Sequence, residues 1–163
     1  MPRSSTDILR VAVVGCGAFG KNHARVYREL QDSGAPLELA GVVDSNFARA
    51  EAVALQNKTR AYPDITALLE DVEVRAASVA VPTVHHSAVA RELLTRGVDV
   101  LIEKPVATTL AEADELIQLA RQHRRVVQVG HVERFNPGVR AAAALVTRPM
   151  FFEIHRLSMF SPR

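Results

Sequence analysis

The chain has only one cysteine, Cys16, in 163 residues. An internal disulfide is thereby excluded, as is any thiolate metal cluster, and no metal site is expected. No apolar run reaches membrane-spanning length, and the sequence opens without an apolar segment suited to a secretory signal. A cytoplasmic location is the resulting expectation. Charge of one sign is also missing: twenty basic residues face eighteen acidic ones, which leaves no basic surface for nucleic acid. Lysine is scarce, since Lys21, Lys58 and Lys104 are the only lysines among those twenty basic residues. In a chain that otherwise prefers arginine, a lysine marks a place where a compact, titratable amine can be required.

What is present suits a folded domain, because 48% hydrophobic and 23% charged residues are enough for one full core at this length. Residues 11–20 read V-A-V-V-G-C-G-A-F-G, an apolar run entering G-x-G-x-x-G. Asp44 closes the next apolar run, L-E-L-A-G-V-V-D. This order is that of a dinucleotide-binding βαβ unit. Gly15 permits the tight turn, Gly17 lets the backbone approach a pyrophosphate, and Gly20 lets the helix pack closely. Ala18 and Phe19 then open the helix whose N-terminus receives the phosphates. Phe19, Val26, Tyr27 and Leu30 supply its apolar period. A carboxylate at Asp44 can accept hydrogen bonds from the adenosine ribose and repels a 2′-phosphate, so NAD is expected in preference to NADP. Gly15, Gly20 and Lys21 also fit G-x-x-x-x-G-K. Asn22, however, stands where a hydroxyl must hold magnesium, which argues against nucleotide hydrolysis.

Strand patterns over residues 9–15, 37–44, 76–81, 98–103 and 126–130, with a short one near Ala61, alternate with helical patterns. The helices are expected over 18–33, 46–56, 65–70 and 86–96, with a last one capped by Thr109 and Glu112 and ending near His123. Apolar strands alternating with helices predict an α/β fold, a doubly wound parallel sheet covered on both faces. Asn136-Pro137 opens an alanine-rich helix to about Thr147. The stretch from Met150 to Met159 then alternates like a strand of another sheet. A single strand cannot bury its apolar face alone. The expected organisation is therefore a dinucleotide-binding domain over 1–148 and, over 149–163, the start of an incomplete substrate and dimerisation domain, in a homo-oligomer.

Ligands of such sheets gather at the carboxyl ends of the strands. Three stretches lie there: Pro82-Thr83-Val84-His85-His86, Glu103-Lys104-Pro105, and Gly130-His131-Val132-Glu133-Arg134-Phe135-Asn136-Pro137. Thr83 and His86 suit a cofactor contact or simply a helix N-terminus with a nearby imidazole; His85 is the less informative histidine. Lys104 leaves a buried strand directly and Pro105 fixes the following turn, which favours a functional amine. Arg134 can bind a substrate oxygen or pair with Glu133, and Asn136 can contact substrate or cap the helix beginning at Pro137.

Together the glycine turn, P-T-x-x-H, E-K-P and G-H-x-x-R-F-N-P resemble the glucose–fructose oxidoreductase, inositol dehydrogenase and rhizopine-catabolism family, in the same order and from Arg10 to Phe160. The resemblance implies a Rossmann fold followed by a second α/β domain that binds substrate and supplies a further catalytic Asp or His. It implies Lys104 beside the nicotinamide and the reacting hydroxyl, Glu103 on the nicotinamide ribose, Pro105 holding the lysine, and His86 near the same end; Lys104 and His86 are the candidate catalytic residues, and both are candidate cofactor contacts together with Pro82, Thr83 and Glu103. Substrate contacts then fall to Lys104, His131, Arg134 and Asn136. V-G-H-V-E-R-F-N-P looks most like the branch acting on UDP-N-acetylglucosamine, so a sugar or UDP-sugar is the expected substrate. The expected reaction is hydride transfer from a ring hydroxyl carbon to the nicotinamide. The competing reading is a dinucleotide-binding module without catalysis, since a dry, walled pocket needs the substrate sheet.

Overall fold

Small and β-branched residues fill the first strand, β1 (Leu9–Val14), from Val11 onward, and a strand that is apolar on both faces needs cover on both. The computed structural model, which describes residues 8–148 together with Met150, Phe151 and Glu153, shows that cover. Val11 and Val13 enter one core with Ala24 of helix α1 (Ala18–Asp32) and with Ala50, Val53 and Ala54 of α2 (Phe47–Asn57). Ala12 and Val14 enter the other core, with Leu68 of α3 (Ile65–Asp71), Leu93 and Leu94 of α4 (His86–Thr95) and Leu116 of α5 (Leu110–His123).

Strands β2 (Leu37–Val43), β3 (Ala61–Tyr62), β4 (Ala76–Val79), β5 (Asp99–Ile102) and β6 (Val127–Val129) complete a six-stranded sheet. Its order is β3-β2-β1-β4-β5-β6, and every neighbouring pair is parallel. The order reverses between β1 and β4, which opens a crevice at their carboxyl ends. A register slip pairs Val11 with Leu39 but Ala12 with Gly41, leaving Ala40 as the extra residue of a bulge. That is why Leu39 and Val42 share one core and Ala40 and Val43 the other.

The helix starts follow local chemistry. Asn46 and Asp64 each accept a hydrogen bond from a backbone N–H in the first turn of α2 and α3. Thr109 and Glu112 form the expected reciprocal capping box on α5. Two expectations change. β4 ends at Val79, before Val81, because the chain turns at Pro82 into a 3₁₀ segment, Thr83–His85, ahead of α4. On α1 the buried face consists of Gly20 and Ala24, with Tyr27 packed against it, whereas Phe19, Val26 and Leu30 are exposed. Close packing of helix on sheet selects small residues, so the large apolar ones misreport the inner face.

The chain divides into two compact units, Met1–Gly130 and His131–Arg163. Within the second, a 3₁₀ turn (Val132–Phe135) leads into α6 (Pro137–Leu145), whose N-cap is Asn136 as expected. Of the strand expected over Met150–Met159, the described residues Met150, Phe151 and Glu153 are in neither helix nor strand. Phe152 and residues 154–159 lie outside the described residues.

Candidate functional site

The site grows from the glycine turn between β1 and α1. Gly15 has φ +95°, a left-handed conformation, and a Cβ there would lie 2.7 Å from the Ala80 backbone that follows β4. A Cβ on Gly20 would lie 1.7 Å from the Gly15 carbonyl oxygen, so α1 can approach the turn only with glycine at that position. At Gly17 no atom of the described residues lies within 4 Å of the added carbon. The open space beside Gly17 leaves room for a ligand to approach the backbone there. Gly17 is also the N-cap of α1, which has no side-chain cap and no acidic residue in its first turn. Its free N–H groups and positive dipole end are suited to a pyrophosphate.

Asp44, just beyond β2, is 7% exposed. Its Oδ2 accepts from the Cys16 N–H at 2.8 Å and its Oδ1 from the Asn46 N–H at 2.8 Å. The carboxylate thus fastens the end of β2 to the glycine turn, a task that sequence spacing alone did not reveal. Each oxygen keeps a second lone pair for a ribose hydroxyl. Arg49 Nη1 stands 3.5 Å from Oδ2. Between the glycines, the Cys16 thiol is pushed up to about 12, chiefly by burial and next by the Asp44 charge. It stays protonated and donates to the Val43 carbonyl, so it is no nucleophile.

At the carboxyl ends of β4 and β5 the groups are side chains. Lys104 is exposed, and its Nζ stands 5.7 Å from the centroid of the Phe19 ring in the glycine turn, close enough for an ammonium to be attracted by the ring face. Two motifs that lie far apart in the sequence therefore meet. Glu103 Oε2 accepts from the Lys104 N–H at 3.2 Å. Its Oε1 meets His23 Nε2 at 3.0 Å. Gly130, at the end of β6, donates its N–H to the Ile102 carbonyl, and a Cβ there would be 3.5 Å from Glu103 Oε1.

His86 is 1% exposed. Its ring lies between two carbonyl oxygens, Pro105 O at 2.8 Å from Nδ1 and Val81 O at 2.9 Å from Nε2. A neutral ring donates to one of them and an imidazolium to both. Held in this way, the imidazole ties the loop after β5 to the end of β4, a different task from the direct contact with the reactants anticipated from sequence. Thr83 is half-buried and Pro82 exposed at the turn into α4, and His85 is exposed. Because Ala80 and Val81 abut Gly15, this turn follows directly from the glycine loop's neighbour.

His131, Arg134 and Asn136 are exposed residues of the second unit. Asn136 Oδ1 accepts from the Gly138 N–H at 2.9 Å and its amide donates to Glu133 Oε2 at 2.8 Å. The capping role is thus present, and Glu133 is engaged by Asn136. Among the described residues there is no cluster of three or more His, Cys, Asp or Glu able to hold a metal ion, and no helix of them is long and apolar enough to cross a membrane.

The sequence reading missed His23, Ser78 and the polar role of Tyr27. Ser78, at 0% exposure on β4, meets His23 Nδ1 at 3.2 Å and the Tyr27 hydroxyl at 2.8 Å. Burial pushes the Tyr27 hydroxyl up, with the Ser78 hydrogen bond opposing it, so the phenol keeps its proton. A signal was available: His23 and Tyr27 lie three and seven residues after the buried Gly20, on the face of α1 that meets the sheet.

A family described as oxidoreductases with an NAD-binding Rossmann fold matches residues 9–131. UDP-N-acetylglucosamine 3-dehydrogenase of Acidithiobacillus ferrooxidans is 38% identical over 156 residues, which are 95% of this chain and 47% of that protein. A crystal form of the same enzyme superposes with a TM-score of 0.75, covering 84% of this chain and 43% of that one. Inositol 2-dehydrogenase of Acidothermus cellulolyticus is 33% identical over 79% of this chain and 38% of its own length. A myo-inositol dehydrogenase of Lactobacillus casei, solved with NAD(H) and myo-inositol, is 28% identical with a TM-score of 0.74, over 85% of this chain and 41% of that one. The chain spans less than half the length of these relatives. It belongs to the glucose–fructose oxidoreductase, inositol dehydrogenase and rhizopine-catabolism family, oxidoreductases with an NAD-binding Rossmann fold.

Proposed function

We propose that the chain is the cofactor-binding part of an NAD-dependent dehydrogenase that oxidises a ring hydroxyl of a sugar, with a UDP-linked N-acetylglucosamine as the favoured substrate. The observation that carries this reading is Lys104 Nζ standing over Phe19 of the glycine turn, which places an amine where the cradle for a dinucleotide meets the end of β5. The fit of the cradle rests on the open Cβ direction at Gly17, the uncapped N-terminus of α1 and the buried carboxylate of Asp44. NAD, when bound, supplies the hydride acceptor at C4 of its nicotinamide. Gly17 and the first turn of α1 hold the diphosphate, and Asp44 accepts from the adenosine ribose hydroxyls. Glu103 accepts from the nicotinamide ribose. Lys104, as the neutral amine, takes the proton of the reacting hydroxyl at Nζ. His86 holds the loop behind Lys104 through the Pro105 carbonyl and acts as a positioning residue. Pro82 and Thr83 flank the nicotinamide.

The substrate reading draws on the similarity to the Acidithiobacillus enzyme. In that reading His131, Arg134 and Asn136 face the sugar or its phosphates, and residues 149–163 begin a second, substrate-binding domain that also mediates a homo-oligomer. Support comes from the exposed apolar side chains of the second unit, among them Phe135, Leu145, Met150 and Phe151. Titration of the chain with NAD and NADP tests the cofactor assignment, and binding of NAD with weaker binding of NADP is expected. Light scattering tests the association: a dimer or larger species supports it, and a monomer at micromolar concentration removes it.

A further inference from the structure

The hydrogen bonds under Glu103 form a continuous chain that begins at its carboxylate. Glu103 is an acceptor on both oxygens, so the Nε2 of His23, 3.0 Å away, must carry the hydrogen. In the neutral ring Nδ1 is then the acceptor for the Ser78 hydroxyl at 3.2 Å, and Ser78 Oγ accepts from the Tyr27 hydroxyl at 2.8 Å; in an imidazolium these two bonds reverse while the one to Glu103 stays. Every group is satisfied, and the chain runs from α1 through β4 to the end of β5. The side chains at its active end are only 17% (His23) and 12% (Glu103) exposed. In such surroundings a hydrogen bond fixes orientation, and a lost partner is costly.

We infer that His23 and Ser78 are positioning residues for the cofactor's nicotinamide half: the relay Tyr27–Ser78–His23 orients the Glu103 carboxylate toward the nicotinamide ribose. The inference rests on the function proposed above for Glu103. The second Glu103 oxygen is steadied by the Lys104 N–H, so the carboxylate is held from two sides and its remaining lone pairs are aimed. The adenosine half is held by Gly17 and Asp44, to which the relay makes no contact in the described hydrogen bonds.

The test compares NAD with ADP, which carries the adenosine and the diphosphate but lacks the nicotinamide ribose. His23→Ala is expected to weaken NAD about tenfold while ADP stays within about twofold, the size expected when a hydrogen bond to a charged group is lost. His23→Gln, whose amide can still donate to Glu103, is expected to recover most of that loss. Thr109→Ala, which perturbs α5 elsewhere, should leave the NAD-to-ADP ratio unchanged. Equal losses for NAD and ADP, or none, would overturn the inference. If His23→Ala fails to fold, Ser78→Ala is read in the same way, and nitrogen NMR of the unmodified chain reports the His23 tautomer directly. A ring carrying a hydrogen on Nε2, whether the neutral Nε2–H form or the imidazolium, supports the relay, and the neutral Nδ1–H form contradicts it. An unmodified chain that binds neither nucleotide overturns the cofactor reading itself, and the imidazole spectrum still decides whether the relay exists.

Discussion

The two ends of the crevice are built from different materials. At the carboxyl end of β1 the work is done by backbone: a glycine with φ +95°, a second glycine on which a Cβ would lie 1.7 Å from the Gly15 carbonyl oxygen, and a helix start with no side-chain cap. At the carboxyl ends of β4 and β5 it is done by side chains from four segments, with His23, Ser78, His86 and Glu103 each held by a specific partner. This backbone cradle tolerates no added carbon at Gly15 or Gly20 yet leaves most side chains free to vary. A side-chain cluster tolerates small shifts in the backbone but depends on every donor and acceptor. The first end therefore suits the part common to all dinucleotides, and the second suits the reacting part.

The largest expected effect breaks the reactive end alone. Lys104→Ala, placed in a form of the protein that turns over, should lower the oxidation rate by about 10²–10⁴ while NAD affinity stays within about threefold, since the amine is assigned to proton transfer and not to anchoring. Lys104→Arg should fail similarly, because a guanidinium does not give up its proton. Steady-state kinetics alongside cofactor titration checks both.

The next effect breaks the cradle. Gly20→Ala puts a carbon 1.7 Å from the Gly15 oxygen, which should destabilise the fold by about 1–3 kcal/mol or more and abolish binding of NAD and ADP alike. Thermal melts and titration of both nucleotides measure it. Asp44→Ala sharpens the same end. NAD should weaken about tenfold, NADP much less, and the gap between them should narrow. Arg49, 3.5 Å from that carboxylate in the unmodified chain, would then face a 2′-phosphate without its acidic neighbour.

The smallest effect touches neither end. Thr109→Ala removes the cap of α5 and should cost about 1 kcal/mol at neutral pH without altering NAD affinity. Hydrogen bonds from the Thr108 hydroxyl and the Thr109 N–H hold Glu112 below the usual carboxylate range. A carboxylate held low contributes fully above its unfolded value, and the contribution is lost as pH falls through the lowered one. The cost of Glu112→Gln should therefore shrink in acid, as melts at pH 7 and pH 3 would show.

The same division explains what could be read from the sequence. The alternation of strands and helices, the glycine turn and the capping box are local patterns, and the parallel sheet and its element order follow from them. The inner face of α1 is not legible from large apolar side chains, because packing against the sheet selects Gly20 and Ala24 there. His23 escaped for the same reason, as it lies on that small-residue face. Spacing gives no hint of its partners, since Ser78 lies on β4 and Glu103 just beyond β5, and only the fold brings both beside α1. His86 was found by its motif, but whether its nitrogens face a ligand or two carbonyls is decided by the loop after β5.

The most direct measurement is a crystal structure of the chain grown with NAD. The expected result is the diphosphate at Gly17 and the first turn of α1, the adenosine ribose on Asp44, and the nicotinamide ribose on Glu103 with the ring beside Lys104. A cofactor bound in the reverse sense, or bound away from Glu103 and Lys104, would contradict it.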